Sequence, residues 1–136
     1  MTVRRLLSVD ALLEAVPSAV PEAAGAFLAD GRNLAFGAYS PSGAPVGFVR
    51  AVVLTRPDDV RPQVFLYDVD VVPEARRQGH GRALVEALLA ECRAMGASEM
   101  FVLTNRSNAA AVGLYTSTGA VSDAGDDEVS LVWAAF

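Results

Sequence analysis

The 136-residue chain contains no lysine and no isoleucine, and only one cysteine, one histidine and one tryptophan. Without lysine it cannot carry a Walker A phosphate loop, whose G-x-x-x-x-G-K-[ST] pattern requires that residue. Both missing residue types use AT-rich codons, so their absence points to a GC-rich coding sequence rather than to chemistry. The single cysteine, Cys92, excludes an internal disulfide and fits a reducing compartment. It lies on the stripe Leu84, Leu88, Cys92, Met95, helical spacing on one face, which reads as a buried structural thiol rather than a nucleophile. No segment approaches the roughly 20 apolar residues needed to span a bilayer. Asp10 and Glu14 interrupt the apolar start too early for a secretory signal. A soluble, cytoplasmic protein is expected. Positive charge is also scarce: all 11 basic residues are arginine, and the net charge is -5. That balance argues against duplex nucleic acid or an anionic membrane as partner and favours a cationic one.

What is present suits one ordinary globular domain over residues 1–136. The chain is 52% hydrophobic and 20% charged, and its length buries about two-thirds of the unfolded surface. Leu12, Leu13 and Val16 give a first helix from about Val9 to Pro17. Pro21 suits the first turn of a second, running through Phe27 and Leu28 to the stop at Asp30-Gly31. Strands are expected at Asn33 to Tyr39 and Val46 to Leu54, joined as a hairpin by Pro41-Ser42-Gly43. Val64 to Val72 reads as a central strand, Gly81 to Met95 as the main helix stopped by Gly96, and Ser98 to Leu103 as the next strand. A helix from Asn108 to about Thr116 and a strand from Val129 to Trp133 complete the chain, the latter after an acidic turn at Asp126-Asp127-Glu128. A short strand near Val3 is also compatible with the pattern. Trp133 and Phe136 are expected in the core or at a dimer surface. A strand–helix–strand unit in the middle implies one parallel pair among antiparallel neighbours.

The densest signal runs from Val69 to Leu84, where an apolar strand stops at Pro73 and a basic, glycine-punctuated loop leads into the main helix. Gly79 and Gly81 let the backbone turn tightly and approach a ligand. The helix behind them offers unpaired N–H groups and the positive end of its dipole to a phosphate. Arg76, Arg77 and Arg82 add local positive charge to an acidic chain. A dinucleotide fingerprint is excluded, because Leu84 stands where its third glycine belongs. Val71, Pro73, Arg76, Gly79 and Gly81 fall in the slots of V-x-P-x-x-R-x-x-G-x-G/A, and the stretch resembles the coenzyme A loop of the GNAT acetyltransferase superfamily. A second motif lies one helix and one strand downstream. Asn108-Ala109-Ala110-Ala111-Val112-Gly113-Leu114-Tyr115-Thr116-Ser117-Thr118-Gly119 resembles that family's N-x-x-A-x-x-L-Y-x-x-x-G.

The resemblance implies a mixed α/β GNAT fold with a central parallel strand pair splayed at the cofactor site. It implies acetyl-CoA as co-substrate, no metal, a small-molecule amine as acceptor, attack in a ternary complex, and a homodimer through the C-terminal strand. A β-bulge near Val69 to Val71 would free backbone groups to bind pantetheine and polarise the acetyl carbonyl, making Val69, Val71 and Val72 expected contacts. Gln78, Gly79, His80, Gly81 and Arg82 would surround the pyrophosphate, with His80 in a slot aimed at the phosphates or solvent. Tyr115 takes the family's general-acid position, an ordinary phenol of pKa about 10 being matched to a thiolate leaving group. Asn108 would either hydrogen-bond the cofactor or cap its helix. Alternation puts Asp68 and Asp70 on one face of their strand, where they would recognise the amine and two like charges side by side would help one of them take its proton, the alternative being that one of them only pairs with an arginine. Phe65 to Val71 with Arg76 to Gly79, and the spacing from Phe27 to Asp58, resemble the aminoglycoside 3-N-acetyltransferase branch. Asn108-Ala109 stand where that branch has an acidic pair. A peptide N-acetyltransferase and a non-catalytic acyl-CoA sensor are the alternative readings. Specificity is expected in the N-terminal helices and in the loop from Asp123 to Glu128.

Overall fold

The computed structural model describes residues 1–123, 127–134 and 136. Its elements are β1 (Thr2–Arg5), α1 (Val9–Ala15), α2 (Pro21–Ala29), β2 (Asn33–Tyr39), β3 (Pro45–Leu54), β4 (Gln63–Val71), a 3₁₀ turn (Pro73–Ala75), α3 (His80–Met95), β5 (Glu99–Asn105), α4 (Ala109–Ser117), β6 (Val121–Ser122) and β7 (Glu128–Ala134). Local chemistry accounts for most boundaries. Ser8 caps α1 by accepting from the Ala11 N–H, Pro21 opens α2, and Gly96 ends α3 in the left-handed region. The sequence pattern does not reveal the 3₁₀ turn or the two-residue β6, which are too short to show a period. Asp126, in the expected acidic turn, lies outside the described residues.

Among the described residues the strands form one seven-stranded sheet in the order β1-β2-β3-β4-β5-β7-β6. Only β4 and β5 run parallel, joined through α3. Each sheet face buries its own cluster. On one face α3 and α4 cover Val49, Val64, Leu66, Met100 and Leu131. On the other α1 and α2 cover Ala35, Tyr39 and Phe48. β7 lies between β5 and β6, and β6 pairs with it only at Leu131 and Val132.

Two irregularities position the site. Arg50 of β3 pairs with Asp68 while its neighbour Ala51 pairs with Leu66, so Tyr67 is an extra residue in β4. This bulge sits just before the expected Val69–Val71 position. Because side chains alternate with period two, one inserted residue exchanges the faces of everything after it. Val64 and Leu66 point into the α3 core, and without Tyr67 so would Asp68 and Asp70. With it, Val69 and Val71 pack toward that core, and Asp68 and Asp70 stand opposite Arg50 and Phe48. The second irregularity is the parallel pair itself. β4 and β5 are paired only from Gln63–Glu99 to Phe65–Phe101. Beyond that β4 follows β3 and β5 follows β7, so the two strands part.

Candidate active site

The parting strands open a cavity of about 860 Å³ at their carboxyl ends, where ligands of parallel α/β sheets bind. Hydrogen-bond phase decides which backbone groups face it. The Val72 N–H donates to the Val46 carbonyl at 2.9 Å. In an antiparallel ladder bonded and unbonded pairs alternate, so Asp70 with Phe48 and Asp68 with Arg50 are bonded pairs. Val69 and Val71 are therefore the residues whose N–H and C=O turn away from β3, into the gap. Those of Val71 are already engaged. Its carbonyl accepts from Arg76 Nε at 2.8 Å and its N–H donates to Asp70 Oδ1 at 3.0 Å. Val69 presents the open backbone position.

The other end of the cavity is the start of α3. Gly79, at φ 84°, precedes the helix without a side-chain cap, and no acidic residue lies in the first turn. The first i to i−4 bond is that from the Ala83 N–H to the Gly79 carbonyl, 3.0 Å. The N–H groups of Gly79, His80, Gly81 and Arg82 thus have no partner within the helix. Arg77 is also left-handed, at φ 62°. A non-glycine residue there costs about 1–2 kcal/mol. At Gly81 a Cβ would lie 3.4 Å from Leu114 Cδ2, an ordinary contact with α4.

Of the two directions expected for His80, the structure excludes solvent. Its side chain is only 5% exposed, lines the cavity, and holds Nδ1 buried with no hydrogen-bond partner. As the first residue of α3 it is turned inward by the helix instead of continuing the loop toward solvent. Val72 and Gln78 stand off the cavity wall. The first is tied to β3, and the Gln78 Nε2 donates to the Glu74 carbonyl at 3.4 Å. Of the other expected residues, Asp68, Val69, Asp70, Val71, Arg76, Arg77, Gly79, His80, Gly81, Arg82, Asn108 and Tyr115 all line it. Leu103 and Thr104 at the end of β5, and Ser117 on α4, do so unexpectedly. The carboxyl end of the second parallel strand was the signal that could have found the first two.

Tyr115 belongs both to the core and to the cavity. Its ring packs edge-to-face on Trp133 with centroids 5.5 Å apart, and the residue is 5% exposed. Burial, and secondarily the charge of Asp68, push its phenol up to about 12. That exceeds the ordinary value on which the expectation rested and keeps the proton on the oxygen at neutral pH. Asn108 caps α4, its Oδ1 accepting from the Ala111 N–H at 3.2 Å. Trp133 is buried, donating through Nε1 to Thr118 Oγ1 at 3.0 Å, while Phe136 is exposed. Cys92 is fully buried, with its thiol pushed up to about 12 by desolvation.

Both carboxylates meet arginines. Asp68 accepts two bonds from Arg50, at 2.7 Å from Nε and 2.6 Å from Nη2, which hold the guanidinium more firmly protonated. Arg76 Nη2 lies 3.5 Å from Asp70 Oδ1. Each of the two strand carboxylates therefore has a cationic neighbour.

The splayed parallel pair, the uncapped helix start and the tyrosine between them define a fold of the acyltransferase type. A family model, acetyltransferase (GNAT) family, matches residues 5–120, and the chain belongs to that family. The [ribosomal protein bS18]-alanine N-acetyltransferase of Escherichia coli strain K12 is 40% identical over 60 residues, which are 44% of this chain and 40% of that protein. The match thus spans well under half of the curated relative. Among solved structures, an aminoglycoside acetyltransferase, meta-AAC0020, from an uncultured soil metagenomic sample, in complex with sisomicin, superposes with a TM-score of 0.83 at 19% identity, covering 92% of this chain and 91% of that one. Arabidopsis thaliana NAA60 in complex with acetyl-CoA gives 0.77 at 16% identity, covering 98% and 97%. At these identities the two structures establish the shared fold.

Proposed function

We propose that this protein is an acetyl-CoA-dependent N-acetyltransferase that acetylates a primary amine by direct attack in a ternary complex. One observation carries the reading. A single cavity joins an uncapped helix start, the unpaired backbone of Val69 and a protonated phenol at Tyr115. The cavity suits a coenzyme with a pyrophosphate at one end and a thioester at the other, and the buried, unpartnered Nδ1 of His80 is a further polar atom left for such a ligand. When bound, the coenzyme supplies an activated acetyl group.

The residues divide the remaining work. The N–H groups of Gly79 to Arg82, with Arg76, Arg77 and Arg82 around them, hold the diphosphate. The Val69 N–H polarises the acetyl carbonyl, where negative charge develops. Transfer joins the amine nitrogen to the acetyl carbon and breaks the carbon–sulfur bond. One proton leaves the nitrogen and one reaches the sulfur. Tyr115 donates the latter, and Asp68, Asp70 or a water held by them accepts the former. The Arg50 fork orients Asp68 for that task.

Two acceptors have support. The strand-to-loop sequence favours an aminoglycoside. The local identity with an alanine N-acetyltransferase favours the α-amine of a polypeptide. A homodimer joined at the C-terminal strand is part of the same proposal, tested by light scattering. Mass spectrometry of product from acetyl-CoA with aminoglycosides, polyamines, amino acids and short peptides tests the activity. One added acetyl mass is expected on an amine, and coenzyme binding with no product on any acceptor overturns the reading.

A further inference from the structure

A second cavity, of about 210 Å³, lies between α1, α2 and β3 on the other side of the β4 wall. Leu12, Val16, Ala19, Ala23 and Phe27 line it, and its only charged residue is Arg50. That guanidinium is bonded to Asp68, which lines the larger cavity. The Arg50–Asp68 pair is thus the partition between the two spaces. Arg50 is fixed on both sides, its Cζ 4.9 Å from the Tyr67 ring centroid and 5.9 Å from that of Phe48. The bulge at Tyr67 creates this arrangement, because it turns Asp68 away from the α3 core and toward α1 and α2.

Resting on the transferase reading, we propose that this second cavity is the acceptor pocket, selecting a primary amine carried on a small, uncharged, apolar body. With the body in the pocket, the nitrogen lies at the Asp68 border, on the side of the thioester. Three properties of the pocket specify the class. Apart from Ser18 and Arg50 its lining is aliphatic and aromatic, so it rewards apolar surface. Its one cation is neutralised by Asp68 and it holds no carboxylate, so extra ammonium groups would be desolvated without partners. Its volume admits on the order of seven non-hydrogen atoms, at the ~30 Å³ each that water occupies in the liquid. A polyamine sugar exceeds both the size and the charge. A free alkyl- or arylalkylamine and the first residue of a polypeptide share the chemistry that fits.

The test is kcat/KM for the unaltered enzyme with butylamine, isoamylamine, phenethylamine, tripeptides beginning with alanine, valine or aspartate, spermidine and an aminoglycoside. Apolar amines or apolar-led peptides are expected to exceed the polycations and the aspartate-led peptide by at least tenfold. Whether the amines or the peptides turn over faster identifies the source. Ala23, exposed on α2, and Ala19, half-buried against the α1–α2 cluster, line the pocket, so Ala23→Leu and Ala19→Leu fill it. Each is expected to lower kcat/KM by about tenfold or more, the loss growing with the size of the acceptor. Coenzyme affinity by calorimetry and the thermal midpoint should stay unchanged. Polycations acetylated in preference, or variants that reduce all acceptors equally, overturn the pocket assignment and leave the transferase reading intact. Coenzyme binding without acetylation of any amine overturns both.

Discussion

At the scale of single residues, Tyr115 shows how packing sets chemistry. The contacts that bury its ring against Trp133 also disfavour the phenolate, so it is a donor at every physiological pH. Tyr115→Phe keeps the ring and removes the proton. We expect kcat to fall by about 10²–10⁴-fold while coenzyme affinity measured by calorimetry stays within twofold. A fall in affinity matching the loss of rate would instead mark the hydroxyl as a binding group. Gly79 is a second residue with a definite demand. At φ 84° an alanine is strained by about 1–2 kcal/mol. Gly79→Ala should lower the urea midpoint accordingly and raise the dissociation constant for coenzyme A, both measurable on one preparation. Glycine at this position and the tyrosine motif were legible from residue order alone. The burial of His80 was not, because its side-chain direction depends on where α3 begins and what lies beneath it.

At the scale of elements, β4 is held against β3 by close approach as well as by hydrogen bonds. A Cβ on Gly47 of β3 would come within 2.7 Å of the Asp70 carbonyl on β4, backbone that cannot turn aside. Gly47→Ala is expected to push the end of β4 outward, lowering stability by about 1–3 kcal/mol and raising KM for acetyl-CoA, since Val71 and the loop after it move with the strand. Denaturant titration with steady-state kinetics checks both, and unchanged KM would show that the loop is anchored independently. The order of elements, the parallel pair and the main helix were readable because apolar periodicity and glycine and proline punctuation are local signals. The place of the bulge was not. Nothing in Phe65-Leu66-Tyr67-Asp68 names the extra residue, which is chosen by the pairing of β4 with Arg50 and Ala51 of a different strand.

For the whole molecule, two buried groups tie stability to alkaline pH. Cys92 and Tyr115 are each pushed up to about 12 in the folded chain, against ordinary values of about 8.5 and 10. Raised folded values mean that the native state keeps protons the unfolded chain releases. The stability these groups contribute is complete below pH 8 and declines as pH rises through 9 to 12. The slope approaches about 1.4 kcal/mol per pH unit for each group that is ionised only when unfolded. Urea midpoints at pH 8, 10 and 11 should fall progressively, and Cys92→Ala should remove the earlier part of the decline. A midpoint flat to pH 11 would show that both groups reach solvent.

The chain by itself determined the order of elements, the caps that end them and the basic, glycine-punctuated loop before α3. Each of these rests on interactions within a few residues: a serine with the third N–H beyond it, a glycine free of Cβ, a helix start lacking a cap. Tertiary structure decided the rest. It paired Asp68 with Arg50, eighteen positions away; turned both strand carboxylates from the core by a bulge; closed His80 inside the cavity; and set an apolar pocket against the partition. These depend on which segments meet and in what register. Long-range pairing fixes that register through burial of whole faces, and no short stretch of sequence carries it.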